Sequence, residues 1–362
     1  MSTLKPSSHI IKPITYADFW TWFQLNEKAF FNAVKDPQKT NEDFLDKISA
    51  KLKELREGYS CGTRFFEGAA ELVFSANRKV KNFIFVEDLV DAAPVIAGWK
   101  FFAFRPALPP EDASFLIGDF RFTVHGLGFI TKEDPKYPDE IDISIVYLSI
   151  PEDKKELALT ALLIYLENSL GEVKCATLID RLSLVQKQDM DDTIPLEKLK
   201  DYLFWREQEF IEKYESDYYS NTKDDVYLRY EGETEKGHIV ISEVNSSILA
   251  WGRSASYPWI SRVIIKYGDA SKGELPDQAT HILMKEIETE ITNQLNEVTP
   301  CLCVAADTHD GVREIYFVCK DFRKPSRIID EVLRKDSSRF EITYDIYKDK
   351  YWRTFDKYVA YT

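Results

Sequence analysis

Lys320, Arg323, Lys324 and Arg327 gather four cations around Pro325, a residue suited to the first turn of a helix. Free N–H groups and the helix dipole at such an end favour an anion, and arginine can grip a phosphate or carboxylate with two parallel hydrogen bonds. The same charges also read as a solvated turn paired to Asp321 or Asp330. A second constellation, Asp307 with His309 and Asp310, supplies a base and carboxylates of the kind a hydrolase uses. Asp310-Gly311 is also the sequence of a tight hairpin turn, which accounts for it without any chemistry. Asp134, Asp139, Glu140 and Asp142 offer oxygens suited to calcium or magnesium, against the plainer reading of a solvated acidic loop. Cys301 and Cys303 share one face of a predicted strand and could seat a soft metal. A two-residue loop at Asp310-Gly311, however, sets Cys303 opposite Val318 and Leu302 opposite Cys319. That sends Cys319 to the other face, and packed, reduced thiols are the expectation. Trp251, Tyr257 and Trp259 collect aromatic surface of the kind that anchors interfaces, with core packing as the competing reading.

The common catalytic signatures are missing: there is no GxSxG elbow, HExxH helix, Walker loop or GxGxxG turn. The loop GDASKGE, Gly268 to Glu274, lacks the Lys-Ser/Thr pair of a phosphate loop. No catalytic residue, metal or cofactor is therefore expected. The five cysteines lack CxxC spacing. A net charge of -14 repels nucleic acid and anionic lipid and attracts a basic partner. The first residues lack a leader-like apolar stretch, and no run approaches the ~18 apolar residues of a membrane span, so a cytoplasmic location is expected.

Those residues must be held by a larger frame. A chain of 362 residues predicts two domains. Phe19 to Val34 is a helix with a broad aromatic stripe, and a second helix follows with Phe44, Ile48, Leu52 and Leu55 buried and Asn41 as N-cap. Short strands at 60–66 and 70–76, a helix at 81–93 and a strand at 99–105 come next. A buried helix spans Leu157 to Leu166, a strand is expected at 172–182, and the polar stretch 186–195 marks a boundary. Domains 1–190 and 191–362 result. The second contains a helix at 277–295 with Leu283, Ile287, Ile291 and Leu295 as its ridge, a hairpin closed by Asp310-Gly311, a helix and a last strand. The fold class is α+β: two mixed, mainly antiparallel sheet domains with helices packed on one face and ferredoxin-like sandwich elements. Residues 41–105 and the C-terminal stretch share the order α-β-β-α-β, which suggests related units.

DGVREIYFVCKDFRKPS, Asp310 to Ser326, together with YPWISRVIIKY, Tyr257 to Tyr267, resembles the bacterial family called domain of unknown function 695 over about Trp205 to Tyr358. FWTWFQLNEKAFFNAV, EIDISIVYL and LLIYLENSLGE resemble the segment that commonly precedes it. The resemblance implies no activity and no catalytic residue. Some relatives carry the domain beside a module similar to the type B protein regulator of ribonuclease E, which implies regulatory binding. The expected function is a cytoplasmic, non-enzymatic binding or regulatory protein whose acidic surface engages a basic protein such as a ribonuclease or toxin. The alternative is a hydrolase or phosphate-ligand-binding enzyme with an undetected pocket. An architectural role for the aromatic N-terminal helix is a third. Nothing in the sequence sets the oligomeric state.

Overall fold

The computed structural model describes residues 14–108, 115–117, 120–122, 127–147, 152–187, 191–219, 224–270, 272–298, 301–336 and 338–359. The chain forms two compact units, Met1–Pro106 and Ala107–Thr362.

In the first unit, Thr15 closes a capping box: its Oγ1 accepts the Asp18 N–H at 3.1 Å, and Asp18 Oδ2 accepts the Thr15 N–H at 2.9 Å. The helix so started is α1 (Tyr16–Lys35). A π-helical turn, Thr40–Leu45, leads directly into α2 (Asp46–Leu55), so Asn41 lies inside the turn and is not the N-cap. Strands β1 (Ser60–Phe66) and β2 (Ala69–Ser75) form a hairpin over Glu67 and Gly68, both with positive φ. After α3 (Phe83–Asp91), β3 (Trp99–Ala103) pairs with β2 in parallel. The aromatic stripe of α1 is spent inside this unit. Trp20 meets Phe74 and Phe101 edge-on, Phe23 meets Trp99, and the Trp20 Nε1–H donates to the Leu89 carbonyl at 2.8 Å. An architectural role for the stripe as exposed surface finds those side chains already packed.

The second unit opens with β4 (Phe115–Ile117) paired to β5 (Phe120–Phe122). The sequence predicts a strand from Phe120 to His125, of which residues 123–125 lie outside the described residues. Then come β6 (Gly128–Lys132), β7 (Asp142–Tyr147), α4 (Lys155–Leu170), α5 (Glu172–Leu178), β8 (Arg181–Gln186), β9 (Ile194–Pro195) and α6 (Leu199–Tyr214). The sheet order is β8-β7-β6-β9. The strand expected over 172–182 begins as helix instead: Gly171, at φ 80°, ends α4, and Glu172 to Leu178 resume helically before β8. Phe129, Ile143 and Ile145 of the sheet bury against Leu162 and Leu166 of α4.

The remainder comprises β10 (Tyr227–Glu233), β11 (Ile239–Asn245), α7 (Ser246–Leu249), β12 (Trp259–Lys266), α8 (Gln278–Val298), β13 (Cys301–His309), β14 (Val312–Cys319), α9 (Arg323–Asp336), β15 (Glu341–Lys348) and α10 (Asp356–Val359). Its sheet runs β10-β11-β13-β14-β12-β15, with every neighbouring pair antiparallel. From β12 to β15 the order β-α-β-β-α-β and this strand arrangement are those of a ferredoxin-like sandwich, with β10 and β11 added beyond β13. The suggested repeat fails on strand order. In the first unit β3 pairs directly with β2, whereas β12 separates β14 from β15.

The hairpin tip falls where expected, with Asp310 at φ 44° and Gly311 at φ 73°. A Cβ on Gly311 would stand 2.7 Å from the Gly268 carbonyl carbon and oxygen. Gly311→Ala is therefore expected to lose about 1–3 kcal/mol, read as a lowered urea midpoint; an unchanged midpoint would refute the packing at this tip. The strands do not keep the expected register. A bulge at Val304 shifts the pairing, so Cys301 faces Cys319 and Cys303 faces Phe317. Cys319 thus shares the face of the other two thiols, yet all three are free, and among the described residues no three metal-ligating groups converge.

Compactness divides the chain at Pro106 rather than at 186–195. The reason is ionic. Asp139 accepts from the Tyr214 hydroxyl at 2.7 Å, the Tyr351 hydroxyl at 2.5 Å and Lys213 at 2.7 Å. Asp180 pairs with Lys348 and Lys350, each at 2.8 Å, and Glu140 with Arg353. The contacts to Tyr351, Lys348, Lys350 and Arg353 fasten β6–α6 to the end of the large sheet, while those of Asp139 with Lys213 and Tyr214 brace β6–α6 internally. Among the described residues no helix is long and apolar enough to cross a membrane.

Candidate functional site

The residues singled out in the sequence do not converge. Lys320 turns its ammonium to the Glu215 and Asp217 carbonyls. Asp321 Oδ1 already accepts the Arg323 and Lys324 N–H groups at 2.8 and 3.4 Å, so the start of α9 is capped by its own carboxylate. Arg323 lies over the Phe322 ring, and Lys324 and Arg327 are exposed. Tyr257 and Trp259 are core residues, at 0% and 7% exposure, and offer no surface to a partner; Trp251 is half-buried against Tyr219 and Tyr257. The acidic loop is solvated only in part: Asp134 is exposed, whereas Asp139 and Glu140 are buried in the ionic contacts described above.

At the hairpin, Asp310 pairs with His238 Nδ1 at 2.5 Å, a hydrogen bond that holds its carboxyl below the ordinary range. Asp307 instead accepts the Tyr358 hydroxyl at 2.8 Å and the Lys357 ammonium at 2.5 Å. Asp307, His309, Tyr230, Lys357 and Tyr358 line a cavity of about 300 Å³, which Ser242 also borders. A wider depression of about 580 Å³ is walled by α8 alone and converges no groups on a point.

The charged site lies on the opposite face, where the sheet outgrows its helices. Cross-strand pairing sets Arg229 of β10 opposite Glu243 of β11, and Thr308 of β13 opposite Arg313 of β14. Strand alternation brings these four to the side covered by α8, whose Lys285 and Glu288 are neighbours on the helix. Arg313 is 1% exposed. Its Nε and Nη2 donate to Glu288 at 3.0 and 2.7 Å, Nη2 also to Glu243 at 2.8 Å, and Nη1 to Thr308 Oγ1 at 2.7 Å. Lys285 bridges Glu243 at 2.5 Å and Glu288 at 3.0 Å. Burial pushes the Glu243 carboxyl up, but Lys285 and Arg313 outweigh it and pull it down to about 2.

Two cavities flank this network. One, of about 290 Å³, is lined by Tyr227, Arg229, Lys285 and Cys303; the other, of about 270 Å³, by Arg229, Ile241, His281 and Arg313. Arg229 borders both, is exposed, and its side chain makes no hydrogen bond or ion pair with the described residues. Burial pushes the Cys303 thiol far above the ordinary range. Sequence reasoning passed over this site. The available signal was Arg313 itself, an arginine in phase with Ile315 and Phe317 on the buried face of an apolar strand.

The second unit is thus an α+β protein whose ferredoxin-like sandwich carries two further strands and, beside them, a charged groove. Residues 230–359, from within β10 to the end of α10, match a family model described as "Family of unknown function (DUF695)". The C-terminal part therefore carries a domain of that family. No curated protein and no solved structure matches the chain.

Proposed function

We propose that this is a cytoplasmic, non-enzymatic regulatory protein of a bacterial cell, which engages a basic protein partner through the open edge of its C-terminal sheet. The observation that carries the reading is β10: among the described residues it pairs with β11 alone, leaving its outer row of N–H and C=O groups to receive another strand. Its surroundings are acidic. Asp224, Asp225, Glu231, Glu233 and Glu235 outnumber Arg229 and Lys236, in a chain of net charge -14. Such a field speeds encounter with a basic segment. Glu231 and Glu233 are exposed, and they disfavour pairing with a second copy of the same edge.

The test compares immobilised wild type with the Glu231→Lys/Glu233→Lys double variant, both confirmed folded by circular dichroism. The wild type is expected to retain a basic protein in a salt-sensitive manner, and the double variant to lose it. Identical retention by both would defeat the reading.

A further inference from the structure

We propose that the groove between β10–β11 and α8 binds a carboxylate, gripped by Arg229. This goes beyond the partner edge: it concerns the helix-covered face of the sheet and a different ligand chemistry. Three cations, Arg229, Lys285 and Arg313, face two carboxylates, Glu243 and Glu288, across the two cavities, leaving one positive charge in excess. Lys285 and Arg313 are committed to Glu243 and Glu288. The excess therefore resides on Arg229, whose planar fork is shaped for two parallel hydrogen bonds to one carboxylate.

One surplus charge matches a singly charged carboxylate better than a phosphate dianion, which would meet Glu243 and Glu288 with its second charge uncompensated. Glu243, held ionised by its two cations, rejects further anions deeper in and fixes the ligand at the Arg229 end. The rigid network also keeps the wall in place without ligand, so little ordering is needed on binding. Cavities of about 290 and 270 Å³ suit a small organic acid or one acidic side chain.

The experiment titrates the ¹⁵N-labelled full chain at low salt with butyrate, with a capped peptide bearing one internal glutamate, and with inorganic phosphate. Saturable shifts are expected at Tyr227–Arg229 and Glu243 with a carboxylate probe, weaker binding of phosphate, and at least a tenfold loss of affinity in Arg229→Gln. Tighter butyrate assigns a free acid; a tighter peptide assigns an acidic side chain. No saturable shift up to about 10 mM, equal affinity in Arg229→Gln, or preference for phosphate would each overturn the proposal. The Arg229 side chain makes no hydrogen bond or ion pair with the described residues, so the variant is expected to fold. Because it leaves Glu231 and Glu233 in place, loss of carboxylate binding and loss of the basic partner are separable results.

Discussion

Arg313→Met is expected to destabilise the second unit by about 3–5 kcal/mol, nearer the lower figure. The guanidinium is 1% exposed and is shared between Glu288 and Glu243, whose side chains are 14% and 32% exposed. Removing it leaves Glu288 in a poorly hydrated place with Lys285 as its remaining cation. Glu243 keeps more water, which screens its share of the loss. Urea denaturation of the full chain measures the change, and a drop below about 1 kcal/mol would mean that water already reaches the network. Adding Glu288→Met to Arg313→Met should recover much of the loss, because an apolar pair needs no counter-charge. The acid limb changes as well. Glu243 titrates near 2 in the folded chain against an ordinary 4.5, so its stabilisation is complete above 4.5 and lost as pH falls toward 2. In Arg313→Met that slope should flatten.

Asp180→Ala should be comparably severe. Asp180 is the carboxylate shared by Lys348 and by Lys350, which is only 4% exposed, and it also accepts the Ile141 N–H at 2.8 Å. Burial, reinforced by Lys348, has already brought the Lys350 ammonium down to about 8 despite Asp180. Without Asp180 its remaining acceptor is the Asp139 carbonyl. The expected cost is about 3–5 kcal/mol at pH 7. A depressed lysine binds fewer protons folded than unfolded, so its contribution grows as pH rises from the folded value toward the ordinary 10.5. The variant should therefore regain stability between pH 7 and 9 by more than the wild type does. A flat profile would show that Lys350 finds another counter-charge or escapes to solvent.

Local pattern carried much of the architecture. Asp310-Gly311 fixed one hairpin, and the apolar spacing of α8 marked its length, although Met284 is buried where Leu283 was expected and Leu283 is 37% exposed. What local pattern lacks is long-range pairing. The entry of β12 between β14 and β15 leaves no trace in either neighbour, and the Val304 bulge reverses the thiol geometry with no glycine to announce it. The ionic contacts joining β6–α6 to the large sheet were missed for the same reason, since Lys350 lies 170 residues from Asp180. Asp139 and Glu140, which read as part of a solvated loop, are buried, while Asp134 beside them is exposed. The groove was partly legible through Arg313, but Glu243 is 70 residues away, and only the sheet brings them together.

Hydrogen exchange on the full chain, alone and with its captured basic partner, tests the central claim most directly. Strand addition predicts that amides of 227–233 become strongly protected in the complex while those of β15, the other edge, stay unchanged. Protection confined to other elements, with β10 exchanging as fast as in the free chain, would contradict it.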